Sequence, residues 1–414
     1  MSGRITAVPV ASDLGRLPVF LAGLPGDPDQ ALVLQKGGLV RRLDLATGAV
    51  AAEPFLDLSA EVSTDGEMGL LGLAFAPDFA ASGRFYLSFS NLHRDTEIRA
   101  YAVSAGDPHR ADPAGATPVL TIPQAPGTSL HRAGWLGFGP DGLLYVTIGD
   151  GEVPMAAHDT GDLRGKILRL EVGGRDDFPE DPGRNYAIPE GNPFAGAGDP
   201  GADEIRAYGF RNPWRASFDP ATGRLFLADV GEDAWEEVNL IHHAGPYGWP
   251  FFEGTGRFWA DAEFPTTGFN FPIFVYAHEA GDGRSVIGGH VYRGPGGEGL
   301  QGAFLFGDFI SGRIWALSDA DGDGTWEREL LAAPTGGGRG SLDRITSFGA
   351  DAAGRLYALD AEGEVFRLDP AAAGGLPALD AEDAVLPPGP AAVDWDAVAA
   401  RVQANFAATG QWFA

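Results

Sequence analysis

LGFGPDGLLYVTIGD, residues 136–150, sets a short apolar run before a Pro-Asp-Gly turn and a second apolar run after it. Turn residues of this kind between two short apolar segments predict two antiparallel strands. The phrase recurs as LGLAFAPDFAASGRFYLSFS (71–90), ASFDPATGRLFLADV (216–230) and TSFGADAAGRLYALD (346–360). Two shorter relatives are DQALVLQKGGLVRRLDLATG (29–48) and GAFLFGDFISGRIWAL (302–317). The spacing is too long for the coils of a solenoid and suits a four-stranded blade with variable loops. Six such phrases predict an all-β chain folded as a six-bladed β-propeller over residues 1–370. Two β-sandwiches would show similar strands but give no reason for the phrase to recur. The strand near Ala31 to Leu34 is expected to complete the last blade, formed around Arg355 to Leu368, and so close the ring.

Composition agrees. Sixty-one glycines and 31 prolines punctuate the chain, and long helical periods are nearly absent. At 414 residues and 44% apolar, with no apolar run near the roughly 20 residues of a spanning helix, the chain reads as soluble and globular without a membrane span. Its 57 acidic residues against 29 Lys and Arg, a formal charge of −28, exclude nucleic acid and anionic membranes as natural partners. A neutral or cationic small molecule, or a divalent metal, fits better. There is no cysteine, which removes disulfides, thiolate metal sites and a cysteine nucleophile. The start, MSGRITAVPVASDLG, lacks the basic and apolar regions of a secretory signal. Residues 371–414 read as a Pro/Ala-rich linker and a short amphipathic helix, N-capped by Asp394, with Trp395, Val398, Val402 and Phe406 on one stripe.

In a propeller the loops that enter the inner strands converge on the central channel. His131 directly precedes the inner strand expected over Ala133 to Phe138 and is a candidate base, although a lone histidine is more often a structural hydrogen-bonder. Arg211 and Asn212 stand at the equivalent entrance of the next repeat, where a guanidinium and a carboxamide could clamp a carbonyl or carboxylate. Asp319, Asp321 and Asp323 with Gly324 imitate the start of an EF-hand loop, but its twelfth position is Leu330, which offers no carboxylate. An acidic hairpin turn is the better reading there. Signatures of nucleotide loops, serine hydrolases and zinc proteases are absent.

GEMGLLGLAFAPDF, HRAGWLGFGPDGLLYVTIGDG, GKILRL, AYGFRNPWRASFDPATGRLFLADVGEDAWEEVN, YGWP, SVIGGHVYRG, GDFISGRIWAL and ITSFGADAAGRLYALD occur in this order, and together they resemble the glucose/sorbosone dehydrogenase family. The resemblance covers about residues 17–369. It implies a six-bladed propeller that binds pyrroloquinoline quinone (PQQ) and calcium, oxidises an aldose at C1 to its lactone and passes electrons to an external acceptor. It implies His131 as the base, oriented by Asp150, and Arg211 as the group polarising the quinone, with Asn212 beside the cofactor. It further implies Arg344 as a cation facing the cofactor carboxylates, and Glu67 and His278 as substrate-side groups. Carbonyls of Gly231 and Glu232 are the implied calcium ligands. Ile310 stands near a position where the glucose-oxidising branch carries a quinone-contacting lysine, which implies either weaker cofactor affinity here or a charge supplied by Arg284 or Arg313. Trp135 replaces a polar residue of the relatives and would either narrow the substrate pocket or pack between blades. The family is mostly periplasmic or secreted. Two other readings of the same ring are a calcium-dependent lactonase and a propeller that binds a ligand or a protein without catalysis.

Overall fold

The computed structural model describes residues 5–15, 17–196, 201–242, 244–259, 268–334 and 336–371. The amphipathic stripe at Trp395 to Phe406 lies outside them. Among the described residues the regular structure is almost wholly strand, with a single four-residue α-helix, Phe79–Ser82, and three short 3-10 turns.

Four sheets each take four consecutive strands apart from a small hairpin insertion: Leu70–Phe75 to Asp107–Ile122, Leu136–Phe138 to Ile205–Tyr208, Arg215–Phe218 to Phe274–Ala277, and Val286–Val291 to Glu327–Ala332. The fifth large sheet has eight strands. Within it, Pro18–Gly23, Gln30–Gln35, Leu39–Asp44 and Leu56–Asp57 pair antiparallel in order, as do Ile345–Ala350, Leu356–Asp360, Glu364–Pro370 and Ile5–Ala11. The two quartets join through a short parallel pairing, Leu21 with Gly349 and Ala22 with Ala350.

The first strands of the successive groups touch one another: Pro18–Gly23 with Leu70–Phe75, that strand with Leu136–Phe138, and Arg215–Phe218 with Val286–Val291 and thence Ile345–Ala350. The remaining step is bridged by Trp135 and Tyr145, whose rings pack on Phe218 at 6.2 and 5.0 Å. Sheets arranged radially about their first strands are the architecture of a β-propeller. Because each sheet is covered on both faces by its neighbours, second strands such as Leu225–Asp229 and Leu356–Asp360 are buried at every position. That is why the repeated phrase reads as a continuous apolar run instead of an alternating one.

The closure differs from the expectation. Ile5–Ala11, and not the segment around Ala31 to Leu34, lies beside Glu364–Pro370, while Gln30–Gln35 is the second strand of its own quartet. Pro9 explains the choice. A proline cannot donate to a ladder, so a strand that carries one is confined to an edge, and the register there breaks between Pro9 and Ala11.

Arg215 ties the middle of the ring together. Its side chain is fully buried, and it donates to Ser347 Oγ at 3.0 Å, to the Trp214 carbonyl at 2.9 Å and to the Val19 carbonyl. Val19 and Ser347 belong to the first strands of two other groups, and the guanidinium also lies over the rings of Trp214 and Phe20, at 4.5 and 5.4 Å. Burial lowers its pKa to about 9. Arg215→Ala is expected to lower stability by about 3 kcal/mol, since it leaves buried acceptors without donors and opens a cavity. A fall in the urea midpoint at unchanged m-value would record this.

Candidate active site

In a four-stranded antiparallel sheet, the loop entering the first strand and the loop joining the second to the third lie at the same end. Glu67, His131 and Arg211 stand in entering loops, and Asp150 and Glu232 in second-to-third loops, so tertiary structure gathers all five at one face. The strand expected from Ala133 begins only at Leu136. Before it, His131 (φ 54°), Ala133 (φ 46°) and Gly134 (φ 95°) form a left-handed loop, which lies outside the strand region altogether.

His131 Nδ1 lies 2.7 Å from Asp150 Oδ1. A carboxylate can only accept, so Nδ1 carries the proton and the lone pair is left on Nε2. Asp150 is itself fully buried, and its remaining capacity is filled by the Glu152 N–H on Oδ1 (2.9 Å) and the Trp249 indole N–H on Oδ2 (2.8 Å). Sequence reasoning missed Trp249, although the tryptophan of YGWP is conspicuous. Its ring also faces the Arg211 guanidinium at 5.7 Å.

Arg211 and Asn212 are placed by a buried carboxylate that was likewise missed. Asp229 accepts both backbone N–H groups, at 3.0 and 2.7 Å. The Arg211 guanidinium donates to the Val230 carbonyl at 3.0 Å and through two nitrogens to Glu232 Oε2, one of them at 2.6 Å. The Asn212 side chain accepts from the Ala133 N–H at 3.3 Å and donates to Glu67 Oε2 at 3.1 Å.

The loop after Asp229 is folded about one acid. Glu253 Oε1 accepts the N–H groups of Glu232, Asp233, Ala234 and Trp235 at 2.7, 2.9, 2.9 and 3.1 Å. In a trans peptide the carbonyl points opposite to the N–H, so the carbonyls of residues 231–234 are turned away from Glu253. Those of Gly231 and Glu232 accept no hydrogen bond among the described residues. Gly231 has no room for a side chain, since a Cβ would stand 1.7 Å from the Trp235 carbonyl. His278 is fixed beside this loop, with Nε2 2.7 Å from Glu236 Oε1 and its N–H on the Ala234 carbonyl. The hydrogen bond to Glu236 raises its pKa.

Of the other expected residues, Arg284 and Arg344 stand in entering loops and Arg313 in a second-to-third loop, at the same end of their sheets. Arg344 is paired with Glu362, and Arg313 shares Asp282 with Arg328. Arg284 is exposed, with no ion pair among the described residues. Trp135 is buried against Phe218 in the core. Asp319, Asp321 and Asp323 do bring their carboxylates within 4.8 Å of one another. They sit in the hairpin turn between Ile314–Ser318 and Glu327–Ala332, where Ser318 faces Glu327. A third-to-fourth-strand turn lies at the end of the sheet away from His131.

Asp229 faces Glu237 across the ladder, and both carboxyls are raised, first by burial and then by each other's proximity or that of a nearby acid. A carboxyl raised above its ordinary value, 4.5 for Glu237, gives stability that is complete below that value and is lost as pH rises through the raised one. Glu237 accepts the Asn239 side-chain amide on Oε2 at 3.2 Å. Glu237→Gln keeps a neutral group there and offers an amide N–H. The variant is expected to match the parent in Tm near pH 4 and to exceed it by several degrees at pH 8, as scanning calorimetry across pH would record.

Fold and site together define a β-propeller with a buried imidazole–carboxylate pair beside an arginine at one face. The family profile of glucose/sorbosone dehydrogenase matches residues 16–367, and the chain belongs to that family. It is 32% identical to the HIPL1 protein of Arabidopsis thaliana over 84% of this chain and 58% of that one. It is 30% identical to the human Hedgehog-interacting protein over 81% and 47%. With the aldose sugar dehydrogenase YliI of Escherichia coli it shares 32% identity over 56% and 58%. The chain thus spans about half to three-fifths of the length of these curated relatives. The PQQ-bound aldose sugar dehydrogenase of Streptomyces coelicolor superposes with a TM-score of 0.69 at 24% identity, over 89% of this chain and 99% of that one, and shares its fold. No helix among the described residues is long and apolar enough to cross a membrane.

Proposed function

We propose that the chain oxidises an aldose at C1 to the lactone, using PQQ and calcium, and hands the electrons to an external acceptor. The observation that carries this is the Asp150–His131 pair, whose hydrogen bond leaves a lone pair on Nε2 for the hydroxyl proton of a sugar. Membership of the family and the likeness to YliI support it. PQQ supplies the hydride acceptor that no side chain provides, and calcium acts as a Lewis acid.

The residues present suit both groups. Arg211 uses three of its five N–H donors on Val230 and Glu232, which leaves two for a quinone oxygen. Each of Arg211, Arg313 and Arg344 now holds a protein carboxylate, the same chemistry that the carboxylates of PQQ would present. Arg284 adds an exposed cation. The outward carbonyls of Gly231 and Glu232 are hard oxygen ligands of the type calcium takes. In this reading Asp150 holds the tautomer of His131, Asn212 braces the loop beside the cofactor, and His278 lies on the substrate side of the calcium loop. Counting the eight-stranded sheet as two blades, we read the ring as six-bladed, and we place its work in the periplasm or outside the cell, as for the soluble relatives.

A second reading is favoured by the closed Arg211–Glu232 and Arg344–Glu362 pairs and by the likeness to Hedgehog-interacting protein: a propeller that binds a partner without catalysis. A calcium lactonase gains no support, because among the described residues the one group of three carboxylates with oxygens within 4.8 Å of one another lies in the Asp319 turn, away from His131. Dye-linked oxidation of an aldose panel, with and without added PQQ and calcium, separates the first two. Activity that requires both additions supports the dehydrogenase. Failure to bind the quinone or to reduce dye with any sugar leaves the binding propeller.

A further inference from the structure

We infer that Glu67 is a positioning residue for His131 and not a contact for the sugar. This rests on the reading of His131 as the base, and it reverses the substrate-side role that the family resemblance implies for Glu67. One oxygen, Oε2, accepts the backbone N–H of His131 at 2.7 Å, that of Arg132 at 3.4 Å and the Asn212 side-chain amide at 3.1 Å. Two successive N–H groups converging on one anion form a nest, the concavity in which proteins usually bind a phosphate or carboxylate. Here the protein fills the nest with its own carboxylate. Glu67, His131 and Asn212 come from the entering loops of three successive sheets, so this oxygen staples three sheets together at the base itself.

The loop needs such a staple. His131 and Ala133 both adopt left-handed backbone, which a residue with a Cβ avoids. Three further contacts hold the conformation but none of them fixes the His131 amide. The Ala133 N–H is on Asn212, and the buried Arg132 side chain is bound to the Thr128 carbonyl at 2.6 Å and to its hydroxyl at 3.0 Å. Gly149 approaches so closely that a Cβ would lie 2.1 Å from the His131 carbonyl. Without Glu67 the His131 and Arg132 amides lose the acceptor that turns them inward, and the imidazole leaves its line with Asp150.

All three bonds end on one oxygen, so the geometry asks for an acceptor at that point and not for a negative charge. Glu67→Gln can place its amide oxygen there, whereas Glu67→Asp keeps the charge but withdraws it by one methylene. The test therefore compares Gln, Asp and Ala variants of the full chain in two measurements. In protein without quinone, labelled with 15N-histidine, the Nδ1–H resonance of His131, assigned by its loss in His131→Gln, is expected to persist in Glu67→Gln and to broaden or vanish in Glu67→Asp and Glu67→Ala. In protein with PQQ and calcium, kcat is expected to fall about 10²-fold in the Asp and Ala variants, the cost of displacing a reacting group by about 1 Å, at nearly constant KM, with Gln restoring it. An unchanged resonance in Glu67→Asp, or a rise in KM alone that tracks loss of charge, overturns the inference. Should the wild type show no turnover, the dehydrogenase reading fails while the resonance still decides the role of Glu67. Should Glu67→Ala fail to fold, the Gln and Asp pair carries the same contrast.

Discussion

Alanine at position 131 is expected to lower kcat of the protein with PQQ and calcium by about 10²–10⁴-fold, the range for loss of a positioned general base. The reason is the division of labour within one ring. Nδ1 is committed to Asp150 at 2.7 Å, so Nε2 is the nitrogen left to take a proton. The removed side chain makes no other hydrogen bond among the described residues, and its backbone N–H on Glu67 survives the substitution. Quinone binding, followed by titration, is therefore expected to stay within a few-fold of the parent while turnover collapses. Equal losses in quinone binding and in turnover would instead make His131 a structural residue of the pocket and sink its role as base.

Asp150→Asn is expected to be nearly as damaging, with a loss in kcat of up to about 10⁴-fold, as when the aspartate of a serine-hydrolase triad becomes asparagine. Asp150 accepts three hydrogen bonds through two oxygens and donates none: His131 Nδ1 and the Glu152 N–H on Oδ1, the Trp249 indole on Oδ2. An asparagine has only one accepting atom in the same space. Placed toward His131, it turns its NH2 into the Trp249 N–H. Flipped, it turns the NH2 onto the Glu152 amide and on His131 Nδ1, which must then accept, so the proton moves to Nε2 and the base is lost. Trp249→Phe removes the indole donor and keeps an aromatic ring beside Arg211. The double variant is therefore expected to regain activity relative to Asp150→Asn alone, because the productive amide orientation no longer meets a donor. No recovery would mean that Trp249 does not compete for Asp150.

Part of this site is legible in the amino-acid sequence. The repeated turn phrase announces the sheets, and His131, Asp150, Arg211 and Asn212 are each recognisable from their motifs. The partners that hold them are not. Asp229, Glu253 and Trp249 read as ordinary acids and an ordinary aromatic, since nothing local marks a carboxylate that will accept two or four backbone N–H groups from elsewhere. The strand expected at Ala133 fails for a related reason. Local apolar pattern favours strand there, but Glu67, Asn212 and Arg132 supply hydrogen bonds that hold a left-handed loop, and tertiary bonds override local preference. Ring closure is misread because the pattern of Ala31 to Leu34 looks more strand-like than ITAVPVA, whereas an outer edge needs no donor at Pro9 and tolerates the weaker segment.

Sequence alone thus determined what depends on local rules: an all-β chain of repeated hairpins, no disulfide, strong acidity and the motifs of one family. Tertiary structure decided everything that depends on which loops meet. Residues as far apart as Glu67 and Asp150 reach one histidine, and Asn212 its loop, only because antiparallel sheets set radially deliver alternate loops to the same face. The choice of partner for most buried polar groups there follows from the pressure to satisfy them, a condition on the whole fold that no single stretch of sequence contains.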